Sequence, residues 1–192
     1  MQRNSWQRDG LKISPVEDFS IFTGFSCLQA EDTDRDLDDF IQHDAARHYT
    51  DRIAVTYLLE DMSFPGFPLA FATLQNDSVV VTGENDLPEV RASYPYSAYP
   101  AVKIGRFGVH VDYQGKRIGT FFLNAIKSLM LNENRTGCRF ITVDARRDKK
   151  NRIDVTHFYE RNGFSLLPCR DKTSRYIPMY FDLLSHVPPG KA

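Results

Sequence analysis

The 192-residue sequence predicts a mixed α/β domain in which a central mixed β-sheet is flanked by helices. Three observations predict it. Short β-branched apolar runs, such as Ile53–Glu60 and Arg139–Ala145, alternate with stretches whose apolar residues recur every three or four positions. Residues 101–112, about 118–132 and 139–145 read as strand, helix, strand, a crossover that implies parallel pairing. Ile53–Glu60 and Leu69–Gln75 instead flank a Pro/Gly turn and read as an antiparallel hairpin. Chain length fits one sizeable domain with a real core, expected over residues 1–192 with its centre at about 19–184.

Composition narrows the class. Hydrophobic residues make up 42% and charged residues 26%, ordinary values for a soluble globular chain. No apolar run approaches the roughly 20 residues of a membrane helix, and Met1–Arg8 has no apolar signal region. Cys27, Cys138 and Cys169 stand at wide, unpatterned spacings that give neither a disulfide framework nor a zinc motif. A reducing cytoplasm is the expected location, with no metal. The net charge of −1 conceals an asymmetry: residues 1–102 hold 7 Lys/Arg against 17 Asp/Glu, whereas residues 103–175 hold 16 against 7. Two solvated surfaces of opposite sign would account for this. So would an anion site in the second half, for phosphates or a nucleic acid.

Residues 1–17 read as an irregular arm or a first edge strand, and Phe19–Leu28 as extended or looped. The acidic run Glu31–Asp36 suits a helix start, and Leu37, Phe40, Ile41, Ala45 and His48 place an amphipathic helix over 34–48. Val79–Val81 either extends the hairpin's sheet or begins an excursion. Residues 82–98 read as a long loop, whose Tyr94, Tyr96 and Tyr99 are a substrate wall or packed aromatics. Gly137 supplies a left-handed stop to the 118–132 helix. After Arg139–Ala145 come a basic loop (146–152), a short helix from Ile153 to Arg161 stopped at Asn162-Gly163, and two strands at 164–167 and 176–183.

The most informative stretch is the turn between the central strand and its helix, Gln114-Gly115-Lys116-Arg117-Ile118-Gly119-Thr120. It brings basic residues to a helix N-terminus, where four amides lack intrahelical partners and the dipole favours an anion. The glycines fit neither G-x-G-x-x-G nor G-x-x-x-x-G-K-[ST]. They resemble the Q/R-x-x-G-x-G/A turn with which GNAT-family N-acetyltransferases hold the pyrophosphate of coenzyme A. Arg117 stands where that pattern has its first glycine. Either the position needs a positive φ and costs about 1 kcal/mol, or the backbone is helical there and the guanidinium adds a phosphate contact; the second is our expectation.

About 45 residues further on, His157-Phe158-Tyr159-Glu160-Arg161-Asn162-Gly163-Phe164 resembles the F-Y-x-x-x-G-F segment of the same family. The two motifs in this order, separated by a strand, identify the chain as a member of that family. Three further segments are similar to a subgroup that includes toxins acetylating the amino group of aminoacyl-tRNA: Tyr99–Val109, Phe25-Ser26-Cys27 with Leu37–Ile41, and Val143-Asp144-Ala145.

The resemblance implies the GNAT acyl-CoA N-acyltransferase fold and an acetyl-CoA-dependent N-acetyltransferase. It implies that the backbone of Phe107, Gly108 and Val109 pairs with the pantetheine arm, as an added strand would. Gln114, Gly115, Lys116, Arg117, Ile118, Gly119 and Thr120 would bind the pyrophosphate, and Asn151 and Tyr159 would flank the acetyl-thioester end. Tyr159 would be the general acid, since a phenol stays protonated at neutral pH and can donate to a departing thiolate. The amine would attack the thioester directly in a ternary complex, its oxyanion held by a backbone amide such as that of Val109.

The sequence does not name the base. His110 and Asp144 are candidates, with a structural histidine and a capping aspartate as their alternatives. Cys138 as an acyl carrier has only Arg139 beside it to lower its pKa. The acceptor is open between a small amine, a protein amine and aminoacyl-tRNA, with a homodimer and a small antitoxin as further partners. Two other classes compete: a GNAT-fold module that binds acyl-CoA without catalysis, and a nucleic-acid binder without CoA.

Overall fold

The structure, a computed structural model, describes residues 6–8, 10–28, 34–81, 83, 87–134, 136–148, 153–167 and 174–186. These form two compact units, Met1–Gln75 with Ile104–Glu133, and Asn76–Lys103 with Asn134–Ala192. Strands β4 (Pro68–Val80) and β5 (Ala98–Val109) run from one unit into the other.

In the first unit, β1 (Trp6–Arg8), β2 (Leu11–Pro15), β3 (Val55–Asp61) and β4 form a continuous antiparallel ladder, with β5 next to β4. The expected arm is therefore two strands, and Ile13 anchors them by being fully buried. The hairpin has the expected pairing, Val55 opposite Leu74, and β4 continues through Val80. The amphipathic stretch folds as α1 (Asp36–Asp39), a π-helical turn over Phe40–Asp44, and α2 (Ala45–Thr50). Its apolar face, Phe40, Ile41 and Ala45, closes a cluster with Val16, Phe22, Phe25, Leu58 and Phe71. Phe25 meets the Phe22 and Phe71 rings edge-on, each at 5.6 Å between centroids, and burying each such ring contributes about 2–3 kcal/mol. Helix α4 (Ile118–Asn132) has the predicted bounds and buries Phe122, Leu123, Ala125, Ile126 and Leu129.

In the second unit the order is β5, β6 (Phe140–Asp148), β9 (Tyr176–Asp182), β8 (Ser165–Leu166), with β7 (Ile153–Asp154) paired to β6. Strand β6 is antiparallel to β9, Thr142 opposite Tyr180. The long-loop reading of 82–98 is corrected: α3 (Pro88–Ser93) forms there. Pro88 stands in its first turn, where a missing N–H is harmless, so it starts a helix instead of breaking one. Val90 joins Val79, Tyr99, Ala101 and Phe140 in this unit's core. The expected basic loop is partly strand, since β6 continues to Asp148, and the short helix α5 covers only Thr156–Arg161. Gly137 does take a positive φ, +74°, but beyond the end of α4, inside a turn closed by Asn134. The Asn134 carboxamide donates to the Cys138 carbonyl and accepts from its amide.

Candidate functional site

At the end of β5 the His110 amide donates to Leu69 O at 2.9 Å, and a 3-10 turn follows over Val111–Tyr113. Gln114 is extended, Gly115 has φ +72°, and Arg117 has φ +64° and ψ 9°, so two left-handed residues bracket Lys116. The expectation of a helical Arg117 is thereby corrected. The chain turns into α4 through the conformation for which the motif's glycine is suited, at a cost of about 1 kcal/mol for an L side chain. Phe121 makes the bond that closes the first turn, to Arg117 O at 3.0 Å. The amides of Ile118, Gly119 and Thr120 precede it, at the positive end of a 15-residue helix. Gly115, Lys116 and Arg117 are exposed beside them, and the Lys116 ammonium stands 5.2 Å over the Tyr113 ring. Backbone donors beside two exposed cations suit a pyrophosphate.

Behind the turn the side chains face inward. Gln114 Nε2 donates to Cys27 O at 2.7 Å and to Val109 O at 3.1 Å. Asp38, 2% exposed, accepts from Ser26 Oγ at 2.6 Å and from the Cys27 amide at 2.7 Å. Val111 N donates to Ser26 O at 2.8 Å, and Gln42 Nε2 to Phe25 O at 2.8 Å. Two segments singled out by resemblance, 25–27 and 37–41, are thus bonded to each other. Gly108 is buried, and a Cβ there would lie 2.5 Å from Cys27 Sγ and 2.6 Å from the Phe71 ring. Its glycine is required by packing. Phe107 lies against Phe122 at 5.5 Å.

His110 is a structural histidine. Its Nδ1 accepts from the Asp112 amide at 3.3 Å, capping the 3-10 turn, and its ring packs on Phe25 and Phe67. Asp144 is no cap; it pairs with the Lys103 ammonium at 2.5 Å. Burial and the neighbouring Asp38 push the Cys27 thiol up to about 12, the Val109 amide being the one contact that favours its thiolate. Burial also raises Cys138, which donates to Phe140 O. Neither thiol is poised as a nucleophile.

In the second unit, Tyr159 sits on α5, buried between Phe158 at 5.1 Å and Phe164 at 5.4 Å. Burial raises the pKa of its hydroxyl further above the ordinary phenol value. It therefore holds its proton throughout the neutral range. The helix is fixed at both ends. Asp154 accepts from the Thr156 amide and hydroxyl, which holds its carboxyl below the usual range. Gly163 turns at φ +80° so that Phe164 N reaches Tyr159 O. Asn151 lies outside the described residues. Tyr99 is packed and donates to Tyr94 O, whereas Tyr94 and Tyr96 are exposed and stacked at 6.4 Å. Sequence reasoning missed the buried carboxylate of Asp38 as an anchor. Its only local signal is an aspartate inside the amphipathic stretch.

Among the described residues no cluster of His, Cys, Asp or Glu could hold a metal ion, and no helix is long and apolar enough to cross a membrane. Residues 76–166 match the family described as acetyltransferase (GNAT) domain. Solved structures share the fold. A tyrosine-to-phenylalanine mutant of KacT superposes with a TM-score of 0.69 at 21% identity, over 92% of this chain and 97% of that one. AtaT complexed with acetyl-methionyl-tRNAfMet gives 0.68 at 20% identity, over 92% and 96%. AtaTR bound with acetyl-CoA gives 0.60 at 20%, over 93% and 96%. No curated protein matches the sequence.

Proposed function

With residues 76–166 belonging to the GNAT acetyltransferases, we propose that the protein moves an acetyl group from acetyl-CoA to the α-amino group of an aminoacyl-tRNA. The observation that carries the donor half is the turn at the N-terminus of α4. Its left-handed Gly115 and Arg117 lead into the helix whose first amides lack intrahelical partners, next to two exposed cations, Lys116 and Arg117. Ile118, Gly119 and Thr120 would hold the pyrophosphate through their amides, Lys116 and Arg117 through charge, and Phe107–Val109 the pantetheine arm through backbone.

Bound acetyl-CoA supplies the thioester carbonyl. Tyr159 holds a proton that a buried phenol releases only to a strong base such as a developing thiolate. The acceptor half is supported by the likeness to AtaT, solved with acetyl-methionyl-tRNAfMet, and by the surplus of 16 Lys/Arg over 7 Asp/Glu in residues 103–175. An antitoxin, as AtaR is for the toxin AtaT, is the protein partner that this reading implies.

The test is transfer of label from acetyl-CoA across aminoacyl-tRNAs, polyamines, amino acids and peptides. The expected result is labelled aminoacyl-tRNA, with tRNA affinity falling steeply as salt rises. Label in polyamines alone, with a flat salt response, would replace tRNA by a small amine. Acetyl-CoA binding without transfer to any acceptor would leave an acyl-CoA-binding module.

A further inference from the structure

We infer that Gln114 is a positioning residue: its carboxamide ties the phosphate turn to the segment Phe25–Leu28, and Ser26 with Asp38 forms the far half of the same tie. The family resemblance places Gln114 among the groups that bind the cofactor. Its side chain is turned the other way, with Nε2 donating to the carbonyls of Cys27 and Val109 at 2.7 and 3.1 Å.

The segment it grips has no regular structure, yet its backbone is satisfied from several directions. Phe25 O accepts from Gln42, Ser26 O from the Val111 amide, and Cys27 O from Gln114. The Cys27 amide donates to Asp38, and the Leu28 amide to Ser26 Oγ, which itself donates to Asp38. A carboxylate 2% exposed is costly unless its oxygens are bonded, and here both are. The longest of these ties, from Gln114 to Cys27, joins residues 87 positions apart in sequence. Together these bonds fix the strand end at Val109 and the approach to Gly115 in one geometry, and so they aim the amides of Ile118–Thr120. Cys27 Sγ and Phe71 leave no room for a Cβ at Gly108, so the segment cannot slide along the strand.

A donor is what the position requires, because two carbonyls face it. Gln and Arg both supply N–H groups there, whereas Met of similar length supplies none. This accounts in physical terms for a motif whose first position is Gln or Arg.

The inference rests on the reading of the turn as the CoA pyrophosphate site, and the test separates the two. Full-length wild type, Gln114→Met, Gln114→Arg, Ser26→Ala and the Gln114→Met/Ser26→Ala double variant are titrated calorimetrically with CoA, with melting temperatures recorded. Wild type should bind. Gln114→Met should weaken binding by about tenfold, the loss of one or two hydrogen bonds to the turn, and Ser26→Ala by about threefold. Gln114→Arg should stay within about threefold of wild type. Because both side chains act through one tie, the double variant should lose little more than Gln114→Met alone.

A double-variant loss equal to the product of the two single losses would mean that Gln114 touches the phosphate independently, and would overturn the inference. Undiminished binding by Gln114→Met would overturn it as well. If Gln114→Met does not fold, Ser26→Ala decides: wild-type affinity there contradicts the tie. Wild type that binds no CoA overturns the site reading, and this inference with it.

Discussion

The Gln114–Thr120 turn and the helix that carries Tyr159 use opposite physics. The middle of the turn, Gly115–Arg117, is exposed, and its working groups are backbone amides and flexible cations set by two left-handed residues. Tyr159 is a single buried side chain whose burial keeps its phenol protonated. In the turn, conformation matters and side-chain identity is secondary, apart from the inward Gln114. At Tyr159 the backbone is an ordinary helical turn, and one oxygen atom carries the chemistry. Substitutions should therefore act on different quantities: affinity for the donor at the turn, turnover at Tyr159.

The largest expected effect is Tyr159→Phe. Removing the proton donor should lower kcat by about a hundredfold, with the affinity for acetyl-CoA within about twofold of wild type. Parallel losses in both, measured by steady-state kinetics and calorimetry, would dissolve the contrast. Gly108→Ala comes next, because its Cβ would meet Cys27 Sγ and Phe71 at 2.5 and 2.6 Å. Overpacking there should cost about 2 kcal/mol in denaturant unfolding and disturb the strand end that feeds the turn.

Lys127 on α4 is a buried cation whose pKa burial lowers from 10.5 to about 8. Below pH 8 both folded and unfolded chains hold its proton, and the native state carries that charge at a desolvation cost. Lys127→Met should therefore stabilise the protein at neutral pH by about 2 kcal/mol. Between pH 8 and 10.5 the native lysine is neutral while the unfolded one is still charged, so wild-type stability rises and the gap narrows. A gap independent of pH would mean that the lysine is charged in the fold at all these values.

The smallest expected effect is Arg117→Gly. Relieving the left-handed arginine should add about 1 kcal/mol of stability, while the loss of the guanidinium should weaken CoA binding by about threefold. Stability and affinity moving in opposite directions would show that this residue serves the ligand at the expense of the fold.

Legibility followed the range of the causes. Helix α4 was readable to its ends because its apolar spacing and the turn before it are local. The β3–β4 hairpin was readable from its Pro/Gly turn. Helix α3 was not, since Pro88 and Pro95 in a short polar stretch look the same whether they start, end or prevent a helix. The positive φ at Arg117 was marked only by the glycine that the resembled motif has there, since an arginine itself signals no left-handed turn; the backbone geometry comes from the elements it joins. The tie of Gln114 to Cys27, and of Asp38 to Ser26, joins positions 87 and 12 residues apart, and no periodicity encodes such a pair. The Phe158-Tyr159 motif was legible as a motif, but the burial that raises the phenol's pKa is a property of the packed structure.

The central claim is that the α4 turn holds the donor by its pyrophosphate. Its most direct test is calorimetric titration of the full chain with acetyl-CoA and, in parallel, with acetyl-pantetheine, which has the same thioester and no pyrophosphate. The account predicts saturable heat with acetyl-CoA and an affinity for acetyl-pantetheine lower by about a hundredfold, the loss of two or three charge-assisted hydrogen bonds. Equal affinity for the two donors, or no heat with acetyl-CoA, would contradict it.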